Sequence, residues 1–126
     1  MKKLLIIDDS DLERELLIEI LKGSGVQNEC LQARSGPDAI EILGRNYKEI
    51  GVILLDWQMP KMSGLDFMSA VVKVPAVNVI PIVMVTASGT EENKKKARVI
   101  NPKLAGYIVK PYTPEQLVKE LKPFLS

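Results

Sequence analysis

Asp8 and Asp9 follow the apolar run Leu4-Leu5-Ile6-Ile7, and Asp56 follows Val52-Ile53-Leu54-Leu55. Thr86 follows Ile82-Val83-Met84-Val85, and Lys110-Pro111 follows Tyr107-Ile108-Val109. Carboxylates, a hydroxyl and an ammonium are together the groups that hold a hard cation and neutralise a phosphoryl group in transfer. Clustered carboxylates repel and raise one another's pKa unless a cation sits among them. Mg²⁺ suits the set, since it takes one or two protein carboxylates, several waters and a phosphate oxygen. No Cys–His cluster or EF-hand loop competes, which disfavours Zn²⁺ and Ca²⁺. Beside such an ion Asp56 can act as a nucleophile and take a phosphoryl group as an acyl phosphate. Lys110 then supplies positive charge and Thr86 a hydrogen bond to the transferred oxygens. Taken singly, an Asp at a strand end is usually a cap or turn residue, and Asp11 and Asp66 read that way.

A parallel sheet would bring these groups together. Short Val/Ile-rich runs read as strands buried on both faces of a parallel sheet, whose carboxyl ends share one edge and open on one crevice. Between them the pattern turns helical, in the order β-α-β-α-β-α-β-α-β-α. Strands are predicted at Lys3–Ile7, Glu29–Ala33, Val52–Leu55, Ile80–Val85 and Tyr107–Val109. The first helix, Asp11–Lys22, is expected to place Leu12, Leu16, Leu17, Ile20 and Leu21 on its buried face, with Glu13, Arg14, Glu15 and Glu19 mostly opposite. The second begins at Ser35-Gly36-Pro37 and turns Ala39, Ile40 and Leu43 inward. The third runs from about Gly64 to Lys73. The fourth, Thr90–Ile100, is stopped by Asn101-Pro102. The last, ending near Leu121, opens on a capping box, Thr113-Pro114-Glu115-Gln116.

A chain of 126 residues, 46% hydrophobic and 26% charged with net charge +1, fits one α/β domain spanning 1–126. The near-neutral balance gives no argument for nucleic acid or an anionic membrane. Its apolar runs are too short to span a bilayer, and Met1 leads straight into a strand rather than a signal sequence. Cys30, the only cysteine, reads as a half-buried strand thiol, and a reducing cytoplasm fits. The absence of histidine excludes imidazole catalysis, ligation or phosphorylation within the chain.

Ile6-Ile7-Asp8-Asp9-Ser10, the loop Leu54-Leu55-Asp56-Trp57-Gln58-Met59-Pro60-Lys61-Met62-Ser63-Gly64, Val85-Thr86-Ala87 and Val109-Lys110-Pro111 resemble the receiver domains of bacterial two-component response regulators. The D-x-x-M-P-x-M-x-G loop with K-P downstream is specific, and the likeness covers essentially the whole chain. The Asp-Trp pair and the lack of an output domain are most similar to stand-alone receivers of the CheY-like chemotaxis type. The resemblance implies a flavodoxin-like (βα)5 doubly wound sheet of strand order 2-1-3-4-5. It further implies that Asp56 is the phosphoacceptor and that Asp8, Asp9 and Asp56 hold Mg²⁺ with the Gln58 main-chain carbonyl. Thr86 and Lys110 would contact the phosphoryl group, Tyr107 would be the switch aromatic that follows Thr86, and Pro111 would follow a cis peptide. As a strand aromatic, Tyr107 is also expected to pack against the last helix.

The implied activity is a signalling switch, not an enzyme acting on other molecules. A sensor histidine kinase or phosphotransfer protein would donate the phosphoryl group, and a target would read the face of the fourth helix, fifth strand and fifth helix. Gln58 and Ser88 lie where the family modulates acyl-phosphate lifetime. Both are neutral, so an intermediate lifetime is expected. Lys94-Lys95-Lys96 and Arg98 are expected to be a solvated face. Three other readings compete. Haloacid dehalogenase-type phosphatases share the Asp nucleophile, Mg²⁺ and Lys, but Asp56-Trp57-Gln58 breaks their D-x-D motif. A phosphorylation-independent scaffold would usually lack an acidic or lysine position. A receiver excised from a larger regulator or hybrid kinase carries the same motifs as a stand-alone one.

Overall fold

The computed structural model describes residues 1–59 and 61–125; Pro60 of the motif loop and Ser126 lie outside the described residues. Five strands, β1 (Lys3–Ile7), β2 (Cys30–Ala33), β3 (Ile50–Leu55), β4 (Ile82–Thr86) and β5 (Gly106–Val109), alternate with α1 (Asp11–Gly23), α2 (Gly36–Asn46), α3 (Gly64–Val71), α4 (Glu91–Ile100) and α5 (Pro114–Leu121). All strand pairings are parallel and the order is β2-β1-β3-β4-β5, as the resemblance implied.

Successive residues of a strand point to opposite faces, and the core divides accordingly. Leu5, Ile7, Ile53, Leu55, Ile82 and Met84 pack with Ala39, Leu43, Phe67, Met68, Val71 and Ala97 of α2, α3 and α4. Leu4, Ile6, Val52, Leu54, Val83 and Val85 pack with Leu17, Leu21, Leu117 and Leu121 of α1 and α5. At about 25 cal/mol per Å² of apolar surface, each fully buried Leu or Ile contributes about 2 kcal/mol. The sheet centre, β1, β3 and β4, is therefore the rigid frame on which the crevice loops are hung.

Each of the five α-helices is N-capped by a hydroxyl. Ser10, Ser35, Ser63, Thr90 and Thr113 each accept from the N–H three residues on. Such caps satisfy an otherwise orphaned donor and fix the angle at which each loop enters its helix. The Thr113–Gln116 capping box is closed in both directions.

Several expectations are corrected. Leu12 and Leu16 are 65% and 48% exposed, while Arg14, expected opposite them, is buried. The apolar arc of α1 is wider than the sheet can cover, and Leu17 and Leu21 take the covered part. Ile40 is exposed at 44% and lines an apolar cavity of about 210 Å³ with Leu43, Ala70, Val71, Val74 and Val77. β2 begins at Cys30 rather than Glu29, β3 already at Ile50, and β4 at Ile82 rather than Ile80. Pro81 lacks the N–H that a ladder needs. α3 stops at Val71, two residues short of Lys73.

Asn28 ties the start of β1 to the stretch that follows α5. Its Nδ2 donates to the main-chain carbonyls of Lys2 at 2.6 Å and Leu125 at 2.7 Å.

Candidate functional site

The carboxyl ends of β1, β3, β4 and β5 open on one crevice of about 410 Å³ lined by Glu13, Asp56, Gln58, Thr86, Ala87, Ser88 and Lys110. Asp8, Asp9 and Asp56 offer carboxylate oxygens that all lie within 4.8 Å of one another. Ladder bonds set this convergence: Asp8 N–H donates to Ala33 O at 3.1 Å and Asp56 N–H to Ile7 O at 3.0 Å. The turn after β1 then brings two adjacent side chains to one cavity, which a regular strand would not do.

Asp8 is the buried member, Asp9 the exposed one, and Asp56 lies between. Asp8 Oδ1 accepts from Ser10 N–H at 3.0 Å, and its Oδ2 accepts from Lys110 Nζ at 3.2 Å. Asp56 Oδ1 accepts from Trp57 N–H at 2.8 Å. Burial, and then the neighbouring Asp8 charge, push the Asp56 carboxyl above its usual range, although Lys110 and the Trp57 N–H pull the other way. Burial alone would lower the Lys110 ammonium, but Asp8, Asp56 and Glu13 outweigh it and raise the pKa. Both groups are therefore held in a mutually dependent charge state.

Thr86, 3% exposed, ends β4, and its hydroxyl accepts from Ser88 N–H at 3.3 Å. Its carbonyl accepts from Lys110 N–H at 2.9 Å, which ties the β4 and β5 ends together. Tyr107 groups with the α2/α3/α4 face of the core, not with α5 as expected, because it alternates with the α5-facing Ile108. Its hydroxyl donates to the Ser88 carbonyl. Lys94 Nζ lies 5.8 Å from the Tyr107 ring centroid and 3.6 Å from Glu91, so one residue of the basic run is engaged rather than simply solvated. Asn93 Nδ2 donates to Ser88 Oγ. Gln58 lines the crevice, and the Lys110–Pro111 peptide is cis.

Sequence reasoning passed over two residues here. Arg14 is buried and donates to the Asp8 carbonyl, the Asp11 carboxylate and Gln32 Oε1, which fixes the loop carrying the first two carboxylates. Glu13 puts a further carboxylate 3.6 Å from Lys110 Nζ. Arg14 stands in the polar run Glu13-Arg14-Glu15, which carries no signal of its burial. Nor was there one for Glu13.

The donor set is all oxygen, with three carboxylates against one ammonium, and it fits a hard divalent cation rather than a soft one. Residues 4–122 match the response regulator receiver domain family. The chain belongs to that family. This receiver domain is 38% identical to the chemotaxis protein CheY1 of Helicobacter pylori, over 98% of this chain and 97% of that protein. It is 36% identical to a chemotaxis protein CheY homolog of Campylobacter jejuni, over 98% of this chain and 92% of that one. The solved chemotaxis response regulator CheY4 of Vibrio cholerae superposes with a TM-score of 0.85 at 31% identity, covering 99% of both chains. Receiver domains are signalling proteins rather than enzymes in the ordinary sense. Among the described residues no helix is long and apolar enough to cross a membrane.

Proposed function

We propose that this receiver domain is a phosphorylation-driven switch whose Asp56 accepts a phosphoryl group from the phosphohistidine of a sensor histidine kinase or phosphotransfer protein. The observation that carries the reading is the gathering of Asp8, Asp9 and Asp56 within 4.8 Å, with Lys110 and Thr86 in the same crevice.

In the transfer, a free oxygen of Asp56 forms a bond to phosphorus as the P–N bond to the donor imidazole breaks. The electron pair stays on that nitrogen, which takes up a proton. The Trp57 N–H already holds Oδ1 at 2.8 Å, which leaves Oδ2 as the attacking atom. Asp8, Asp9 and Asp56, with the Gln58 main-chain carbonyl, would hold Mg²⁺, which when bound supplies charge neutralisation for the phosphoryl oxygens. Lys110 turns from Asp8 toward those oxygens, and the Thr86 hydroxyl, an acceptor toward the Ser88 N–H, donates its own proton to one of them. A ligand shifts a conformational equilibrium only through contacts made better in one state, and these two contacts are of that kind. Moving Thr86 disturbs Ser88, and through the Ser88 carbonyl it disturbs Tyr107. The face of α4, β5 and α5 thereby changes its affinity for a target protein. Gln58 and Ser88, both neutral and beside Asp56, set an intermediate phosphoryl lifetime. A cytoplasmic chain of residues 1–126 acting as one domain is part of this reading, and the chemotaxis proteins it resembles make that pathway the first context to test.

The test is intact mass after incubation with a small phosphodonor, with and without Mg²⁺, using Asp56→Asn as control. A Mg²⁺-dependent phosphoryl adduct absent from the variant is expected. An adduct that persists in the variant, or none with any donor or cognate kinase, would overturn the reading and favour a phosphorylation-independent scaffold.

A further inference from the structure

The start of α1 carries a capping-box sequence, Ser10-Asp11-Leu12-Glu13, that closes in one direction only. Ser10 Oγ accepts from Glu13 N–H at 3.2 Å, as a box requires. The reciprocal donor, Ser10 N–H, is taken by Asp8 Oδ1 at 3.0 Å. The Glu13 carboxylate turns into the crevice instead, where Oε2 lies 3.6 Å from Lys110 Nζ. At Thr113 the same motif closes both ways, so the open form at Ser10 is a property of this site. Asp8, by occupying Ser10 N–H, frees Glu13 for Lys110.

We propose that Glu13 is a positioning residue for Lys110. Together with Asp8 it holds the ammonium between the β1–α1 loop and the first turn of α1, and so restrains it from Asp56 in the unphosphorylated chain. The inference rests on Asp56 being the phosphoacceptor. Lys110 is needed at the phosphoryl oxygens in the transition state, and an interaction made only in the resting state raises the barrier to leaving it. Asp8 is a deeply held partner, whereas the Glu13 side chain is 46% exposed. Its hold is therefore moderate and is screened by salt. Glu13 thus sets how readily the resting chain accepts a phosphoryl group without taking part in the bond making itself.

The experiment compares wild type, Glu13→Gln and Glu13→Asp with acetyl phosphate as donor. In that reaction an Asp56 oxygen bonds to phosphorus and the P–O bond to acetate breaks, acetate leaving with the electron pair. Gln removes the charge, while Asp keeps it but is one methylene too short to keep the contact. Both variants should be phosphorylated faster than wild type by about two- to fivefold at low ionic strength, and the gain should shrink at high salt. A second readout needs no phosphorylation: the Lys110 side-chain ammonium resonance of the metal-free chain, visible when ion pairs slow its proton exchange, should broaden in both variants. Wild-type rates in Glu13→Asp would show a charge effect without positioning and would overturn the proposal, as would an unchanged Lys110 resonance. If wild type itself takes no phosphoryl group, the phosphoacceptor reading fails, and the resonance alone decides whether Glu13 holds Lys110.

Discussion

Replacing Asp56 by Asn should stabilise the metal-free chain at neutral pH. Asp56 shares a space of 4.8 Å with two other carboxylates, and burial followed by the Asp8 charge raises its pKa. Two like charges at that separation repel by about 1 kcal/mol in water-like surroundings and about 3.5 kcal/mol at an effective dielectric of about 20. Asp56 is only part-buried, and Lys110 lies 3.2 Å from Asp8. Discounted for solvent and for that counter-charge, the relief is about 1 kcal/mol. In a chain of this size that raises Tm by about 3–5 °C. Asn keeps the volume and an oxygen for the Trp57 N–H, so little else changes. Because the folded-state pKa is raised, the folded chain keeps a proton on Asp56 over a window where the unfolded chain has lost it. The stability this group contributes is therefore present at acid pH and lost as pH rises through the folded-state value. The advantage of Asp56→Asn is full at neutral pH and fades as the pH falls through that value. Thermal and urea unfolding in chelator, at neutral and mildly acidic pH, measure it. Excess Mg²⁺ should close the gap, since a ligand bound to the folded wild type adds its own stabilisation. A variant less stable than wild type in chelator at neutral pH, or one whose advantage ignores pH, would refute the electrostatic reasoning.

Arg14→Ala should cost about 2–3 kcal/mol, read from urea unfolding, because a buried donor to the Asp8 carbonyl, Asp11 and Gln32 is lost. Mg²⁺ binding, followed by the fluorescence of Trp57, should weaken in the same variant. In Gly64→Ala the new Cβ would run into the Asp56 carbonyl oxygen. Backbone rather than a flexible side chain must then yield, so a loss of about 2–3 kcal/mol in unfolding experiments is expected, with a lower phosphoryl yield. Tyr107→Phe should lose about 1 kcal/mol with the bond to Ser88. Hydrogen exchange should quicken at the amides of the loop between β4 and α4 and stay unchanged in β1.

The crevice was legible because its main groups stand at strand ends. Once Ile6-Ile7, Leu54-Leu55, Val83-Met84 and Ile108-Val109 are read as parallel strands, Asp8, Asp56, Thr86 and Lys110 share an edge by topology alone. Glu13 and Arg14 reach the same place by a turn of helix, and a helical pattern does not say which way a polar residue leans. Leu12, Leu16 and Ile40 show a related limit. An apolar arc marks which side of a helix can be buried, but the area of sheet beneath decides how much of it is. The seating of Tyr107 was missed because alternation names two faces without saying which helix covers each. Pro81, which has no N–H for the ladder, is a reason legible in the sequence for β4 to begin at Ile82 rather than at the apolar Ile80.

The side chain of Asn28 has a consequence for how this unit can be joined to other things. One amide holds the carbonyls of Lys2 and Leu125, so the first and last described stretches lie beside each other where the sheet's strands begin, remote from the crevice at their far ends. A short covalent bridge between those stretches would close the chain into a ring without crossing the reacting surface. New ends opened in a solvent-facing turn would give a rearranged chain with the same sheet order. For the same reason a tag, a fluorophore or a second protein attached at either end enters from below, leaving the acidic mouth and the α4–β5–α5 surface uncovered.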